Sequence, residues 1–157
     1  MKIRGLVDED FINYKIPSMF VAFPRCSFKC EKECGIQCCQ NSKTALDPII
    51  EINVIDLVDR YIKNPITHAI VCGGLEPFDT FDDLYSLVET LRKSVSDTVV
   101  IYTGYKEDEV SEYVRILRNF SNIVIKFGRF IPHQQPHYDE VLGVNLASKN
   151  QYAKKIS

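Results

Sequence analysis

The stretch "HAIVCGGLEPFDTFDDLYSLVETLRK" (68–93) decides how this chain folds. Its first seven residues are an apolar run stopped by two glycines, which reads as a buried strand. From Thr80 to Lys93, Phe81, Leu84, Tyr85, Val88 and Leu91 recur on one helical face. Strand, glycine turn and helix together make one β–α unit, and the same unit recurs on both sides.

Upstream, "MFVAF" (19–23) reads as a short buried strand, and "NVIDLVDRYI" (53–62) as a helix capped by Asn53 with Val54, Leu57, Val58 and Tyr61 inward. Downstream, "DTVVIYTG" (97–104) is β-branched and ends in glycine. "EDEVSEYVRILRNF" (107–120) is helical, acidic at its start and basic at its end as the helix dipole favours. "NIVIKFG" (122–128) is the next strand. The order β–α–β–α–β–α–β, with strands rich in Val and Ile, predicts a parallel sheet with right-handed crossovers. Four units are too few for a closed eight-stranded barrel. The expected fold is α/β, a partial TIM-type barrel in one domain over 1–157; an open doubly wound sheet is the alternative. After Gly128 the periodicity fades, apart from a strand-like "VLGVNL". The basic end "KNQYAKK" reads as a disordered terminus or a partner-docking edge.

The chain has 157 residues, 45% hydrophobic and 25% charged, the composition of a globular protein with a core of its own. A net charge of −2 provides no general field for nucleic acid or an anionic membrane. The N-terminus lacks the apolar core of a signal peptide, and no run is long enough to span a bilayer, so a cytoplasmic protein is expected.

Against that background one segment is unusual. "PRCSFKCEKECGIQCCQN" (24–41) holds five of the six cysteines, within a loop expected over 24–47. Clustered thiols in a reducing compartment point to metal ligands or redox groups rather than disulfides. Both zinc and an iron–sulfur cluster accept such a set. Cys26 and Cys30 form a close pair, with Cys34, Cys38 and Cys39 as candidates for a third ligand. Cys30, Cys34 and Cys38 recur every four residues, a spacing that a helix could share. Cys72 ends a strand and reads as core packing. His68 reads as structural, and His133 and His137 lie in a proline-rich loop with no third ligand in view. In parallel α/β folds ligands gather at the carboxyl ends of strands. The cysteine loop, "CGGLEPF" and "YTGY" all leave such ends, so they are expected to share one site.

Four motifs in register carry a family resemblance. "FPRCSFKC" followed by "CQN", "GGLEP", "VVIYTGY" and "GVNLASKNQ" resemble the successive signatures of a small radical S-adenosylmethionine enzyme, most closely the activating component of anaerobic (class III) ribonucleotide reductase. The resemblance implies a [4Fe-4S] cluster on Cys26, Cys30 and Cys39, with Cys38 as runner-up to Cys39. The fourth iron corner would be open to S-adenosylmethionine. It implies cofactor contacts from Gly73, Gly74, Glu76 and Pro77, where the glycines let backbone approach the ligand. Thr103, Gly104, Ser148, Asn150 and Gln151 follow as candidates for cofactor or partner contact. The implied chemistry is reductive cleavage to a 5′-deoxyadenosyl radical, which takes hydrogen from a glycine of a large glycyl-radical enzyme. A one-electron donor such as flavodoxin or ferredoxin is implied as well. The sequence departs from the family in the eight residues between Cys30 and Cys39, in the extra Leu75, and in "KFGRF" (126–130), where activases tend to have an acidic residue before glycine. A different radical target, or a non-catalytic zinc module, are the competing functions.

Overall fold

A computed structural model describes all of residues 1–157. In chain order the strands and helices are β1 (Lys2–Ile3), β2 (Gly5–Asp10), β3 (Ser18–Phe23), α1 (Lys29–Cys34), β4 (Ile50–Glu51), α2 (Val54–Lys63), β5 (Ala69–Gly74), α3 (Phe81–Arg92), β6 (Thr98–Tyr102), α4 (Ser111–Leu117), β7 (Ile123–Phe127), β8 (His137–Asp139), β9 (Val144–Leu146) and β10 (Tyr152–Lys155). One six-stranded sheet runs β10-β7-β6-β5-β3-β2. Its four central strands, β3, β5, β6 and β7, are parallel and follow chain order across the sheet, with β4 paired to β1 outside it, whereas β2 and β10 pair antiparallel at the two edges.

The pleat sorts the central strands into two faces. Met19, Val21, Phe23, Ile70, Cys72, Val99, Ile101, Ile123, Ile125 and Phe127 pack with α2, α3 and α4 into the main core. All three crossover helices therefore cover the same face, as successive right-handed connections in one direction require. The alternate residues Ala69, Val71, Val100 and Val124 form a smaller cluster with Tyr14, Leu142 and Leu146. Toward the strand ends this second face changes character, presenting Phe20, Gly73, Tyr102 and Lys126 to a cavity. Burying Val, Ile and Leu side chains stabilises by roughly 1.5–3 kcal/mol each, so the sheet–helix contact is the dominant favourable contribution.

Local signals explain the element boundaries. Asn53 caps α2, its side chain accepting a hydrogen bond from the Ile55 amide at 2.8 Å. The helices expected over 80–93 and 107–120 each begin with a 3₁₀ turn, Pro77–Thr80 and Glu107–Val110. Their aromatic stripes border the core: Phe81 and Phe120 pack half-buried against it, whereas Tyr113 is exposed and stacks on Phe81 with ring centroids 4.2 Å apart, joining α3 to α4.

Three expectations need correction. The basic end is ordered, because Tyr152–Lys155 adds to β7 as an edge strand. Residues 2–10, to which the sequence assigned no strand, form β1 and β2; β2 alternates too weakly in polarity to stand out. Within the cysteine loop a short helix covers Cys30 and Cys34 but stops at Gly35, whose φ of +70° reverses the chain. Cys38 is therefore not on that helix. No helix of the chain is long and apolar enough to cross a membrane.

Candidate functional site

The carboxyl ends of β3, β5, β6 and β7 surround a cavity of about 320 Å³. The cysteine segment forms one wall, the glycine turn after β5 another, and residues 103–105 and 126–130 close the far side. Of the residues the sequence singles out, Cys26, Cys30, Cys39, Gly73, Gly74, Glu76, Thr103, Gly104 and Gln151 line it, whereas Pro77, Ser148, Asn150 and Cys38 do not. The separation is physical: Pro77 is buried as the first residue of the 3₁₀ turn, and the tail polar groups are spent on one another and on residues 129–131. Gln151 accepts from the amides of Ala147 and Ser148 at 3.0 and 3.1 Å. The Asn150 side-chain amide donates to the Arg129 carbonyl at 2.7 Å. That segment braces the turn after β7 and, of the tail residues the sequence singles out, brings Gln151 to the cavity wall beside Asn145 and Ala147.

The cysteine segment is tied down from several directions, although none of the side chains in α1 is buried. The Ser27 amide donates to Asp79 at 2.6 Å, the Tyr105 hydroxyl donates to the same carboxylate at 2.6 Å, and Glu76 N donates to the Arg25 carbonyl at 2.7 Å. A charged latch reaches across from β7. Arg129, with a side chain only 4% exposed, meets Glu109 at 2.6 Å and Glu33 of α1 at 3.2 Å, and Lys29 joins Glu109 at 3.3 Å. The bidentate guanidinium holds the Glu109 carboxyl down at about 2. These contacts fix which thiols face the cavity.

All six cysteines are free thiols. Burial, reinforced by the carboxylates of Glu76 and Asp79, pushes the Cys26 thiol up to about 12. Burial and the neighbouring Cys39 raise Cys30 as well. Thiols kept protonated in a partly buried, acidic setting are poor free nucleophiles. They suit a bound cation, whose charge reverses this preference and draws off the protons. No three His, Cys, Asp or Glu side chains converge closely enough for one metal ion; a four-iron cube spreads its ligand sulfurs more widely than a single ion does. Cys72 is fully buried in the main core, and burial alone raises its thiol, as expected of packing. His137 opens β8 opposite Leu146, and His133 lies in the preceding turn.

Glu76 joins two strand ends. Its carboxylate accepts from the Thr103 hydroxyl at 2.8 Å, the Gly104 amide at 2.9 Å and the Phe78 amide at 3.2 Å. Burial outweighs these three donors and lifts the group to about 7. The glycines after β5 also have an internal reason. Gly74 has φ of +76°, and a Cβ there would sit 2.8 Å from the Cβ of Ala22, so close approach of β3 already demands glycine.

Lys126 was missed as a site residue. It is 6% exposed, pairs in register with Tyr102, and donates to the Gly128 carbonyl at 2.8 Å on the cavity wall. Burial lowers its ammonium to about 8. The signal was a lone lysine inside the apolar run "IVIKF", noticed only as a departure from a family pattern. Arg129 was missed for a different reason, since nothing local marks an arginine as buried.

An α/β sheet with thiols gathered at the carboxyl ends of its strands belongs to the class of metal- or cluster-binding domains. The family described as "4Fe-4S single cluster domain" matches residues 18–152, and the chain belongs to it. It is thus an iron–sulfur protein whose cofactor is a [4Fe-4S] cluster. Comparison with curated proteins and with solved structures gives no match.

Proposed function

We propose that this protein is a radical S-adenosylmethionine enzyme, acting as a glycyl-radical activase for an anaerobic ribonucleotide reductase. The observation that carries the reading is the convergence of Cys26, Cys30 and Cys39 on the cavity that the "GGLE" turn also lines. With three protein thiols on the cluster, one corner remains for a small chelating molecule. When bound, the cluster and S-adenosylmethionine together supply a one-electron cleavage that yields methionine and a 5′-deoxyadenosyl radical.

The chain's own residues have separate tasks. The cavity volume falls within the ordinary range of small-cofactor sites. Lys126 offers a buried ammonium for the cofactor carboxylate, its only present partner being a carbonyl. Glu76 holds the β5 and β6 loops together so that the turn's main-chain groups stay oriented. The latch through Arg129 keeps the cysteine segment over the cavity and restricts water. The six-stranded sheet is read as an incomplete barrel, with the helix-free face as its interior and its open side available to a large protein substrate. Electrons come from a donor of the flavodoxin or ferredoxin kind.

A second reading keeps the radical chemistry and changes the target to another peptide, protein or small molecule. The segment "KFGRF" (126–130), standing where activases tend to carry an acidic residue before glycine, favours it. The test is anaerobic reconstitution followed by reductant and S-adenosylmethionine, then a cognate reductase. Release of methionine and 5′-deoxyadenosine with a glycyl radical on the reductase is expected, and Cys39→Ala is expected to lose the iron that Cys34→Ala retains. Cofactor cleavage without a glycyl radical selects the second reading. A protein that takes up zinc and no cluster removes both.

A further inference from the structure

The five clustered cysteines divide three and two. Cys34 and Cys38 stay off the cavity, and their sulfurs face each other 2.6 Å apart. That is well inside the spacing of unbonded sulfur atoms and little beyond the roughly 2.05 Å of a disulfide bond. Local chain geometry produces the encounter. Cys34 is the last residue of α1, and Gly35, in the left-handed conformation, donates its amide to the Glu31 carbonyl at 2.9 Å. The reversed chain then returns Cys38 beside Cys34, whose thiol also donates to the Ile36 carbonyl at 3.3 Å. Both residues are half-exposed, so a small solute can reach either sulfur. Cys72, the remaining thiol outside the cavity, is fully buried and has no such access.

We propose that Cys34 and Cys38 form a redox-active dithiol, which low-molecular-weight disulfides convert into an intramolecular disulfide while Cys26, Cys30 and Cys39 are unaffected. Cys34, ionised, attacks the small disulfide R–S–S–R, forms a mixed disulfide and releases the first RS⁻. The second cysteine attacks the protein sulfur of that mixed disulfide and releases the second RS⁻. The two protons lost by the cysteines convert both leaving groups to RSH. One sulfur–sulfur bond is broken and one is formed, and two electrons pass from the protein to the small molecule. The new bond ties the end of α1 to the residue before Cys39, whose amide already donates to Glu31 at 3.3 Å. Oxidation would thus stiffen the approach to the cavity without occupying it. This pair goes beyond the radical reading and does not depend on it.

The test uses the anaerobically reconstituted holoprotein incubated with oxidised glutathione, quenched with iodoacetamide, digested and mapped by mass spectrometry. A peptide lighter by two hydrogens and unalkylated at Cys34 and Cys38 is expected, with cluster absorbance retained. Cys38→Ser is expected to trap glutathione on Cys34, and Cys34→Ser to take up none, each with its cluster intact. Full alkylation of both cysteines after incubation would overturn the proposal. So would a bond from either to Cys26, Cys30 or Cys39, or cluster loss in step with oxidation or in either serine variant. Thiol mapping does not involve S-adenosylmethionine, so its failure and failure of the radical reading are told apart.

Discussion

Replacing Glu76 with Gln tests the balance of forces at the centre of the site. In the folded protein the carboxyl titrates at about 7, against an ordinary 4.5, because burial outweighs three hydrogen-bond donors. A folded value above the unfolded one means that the group's contribution is fully present below pH 4.5. It is lost as pH rises through about 7. The gap corresponds to roughly 3 kcal/mol, of which about 2–3 kcal/mol falls between pH 5 and pH 7.5. Gln cannot ionise, so Glu76→Gln removes this slope. It also places an NH₂ group or a lost acceptor opposite the Gly104 amide, which now donates at 2.9 Å. The buried donor left without its partner costs about 1–3 kcal/mol at every pH. The assay is urea unfolding of the reduced, metal-free protein followed by circular dichroism at about pH 5 and pH 7.5. An unchanged m-value would show that the change is one of stability and not of compactness. The variant is expected to be weaker than wild type at the lower pH and to narrow or close the gap at the higher. If wild type and variant lose the same amount over this interval, burial does not dominate at Glu76 and the account of the clamp is wrong.

Lys126 gives the opposite sign. Its folded value of about 8 lies below the ordinary 10.5, so its charge costs stability below pH 8 and the cost is relieved as pH rises toward 10.5. Lys126→Met is expected to raise the stability of the metal-free protein at pH 7 by about 2–3 kcal/mol, read as a higher urea midpoint, while weakening S-adenosylmethionine binding by equilibrium dialysis. A lower midpoint would refute the burial argument. Gly74 and Gly35 share a left-handed φ in different surroundings, since a Cβ on Gly35 would meet nothing within 4 Å. Gly35→Ala is expected to cost about 1 kcal/mol and Gly74→Ala on the order of 3 kcal/mol or more, compared by thermal unfolding. Equal losses would mean that contact with Ala22 is not what requires glycine at 74.

The central architecture was legible because each β–α unit declares itself locally. In "HAIVCGG" and "TFDDLYSLVETLRK" the change from a continuous apolar run to helical spacing is visible without a neighbour. Asn53 was readable for the same reason, since a cap bonds an amide two residues away. The edge strands were not. β10 carries "YAKK", which has no apolar alternation and becomes a strand only because β7 offers it an unpaired edge. The half-buried β2 depends likewise on β3.

At the site, the sequence by itself determined that thiols would be concentrated after the first parallel strand and that glycine-rich turns would follow the next ones. Composition and spacing are enough for that. Only the tertiary structure decided which thiols face the cavity, that Cys34 meets Cys38, and that Glu76 holds Thr103 and Gly104. It also placed Lys126 and Arg129, charged residues that look exposed in the sequence, inside the wall. The physical reason is range: hydrophobic period and capping act over a few residues, whereas burial and charge pairing here join groups up to about a hundred residues apart, such as Glu33 and Arg129.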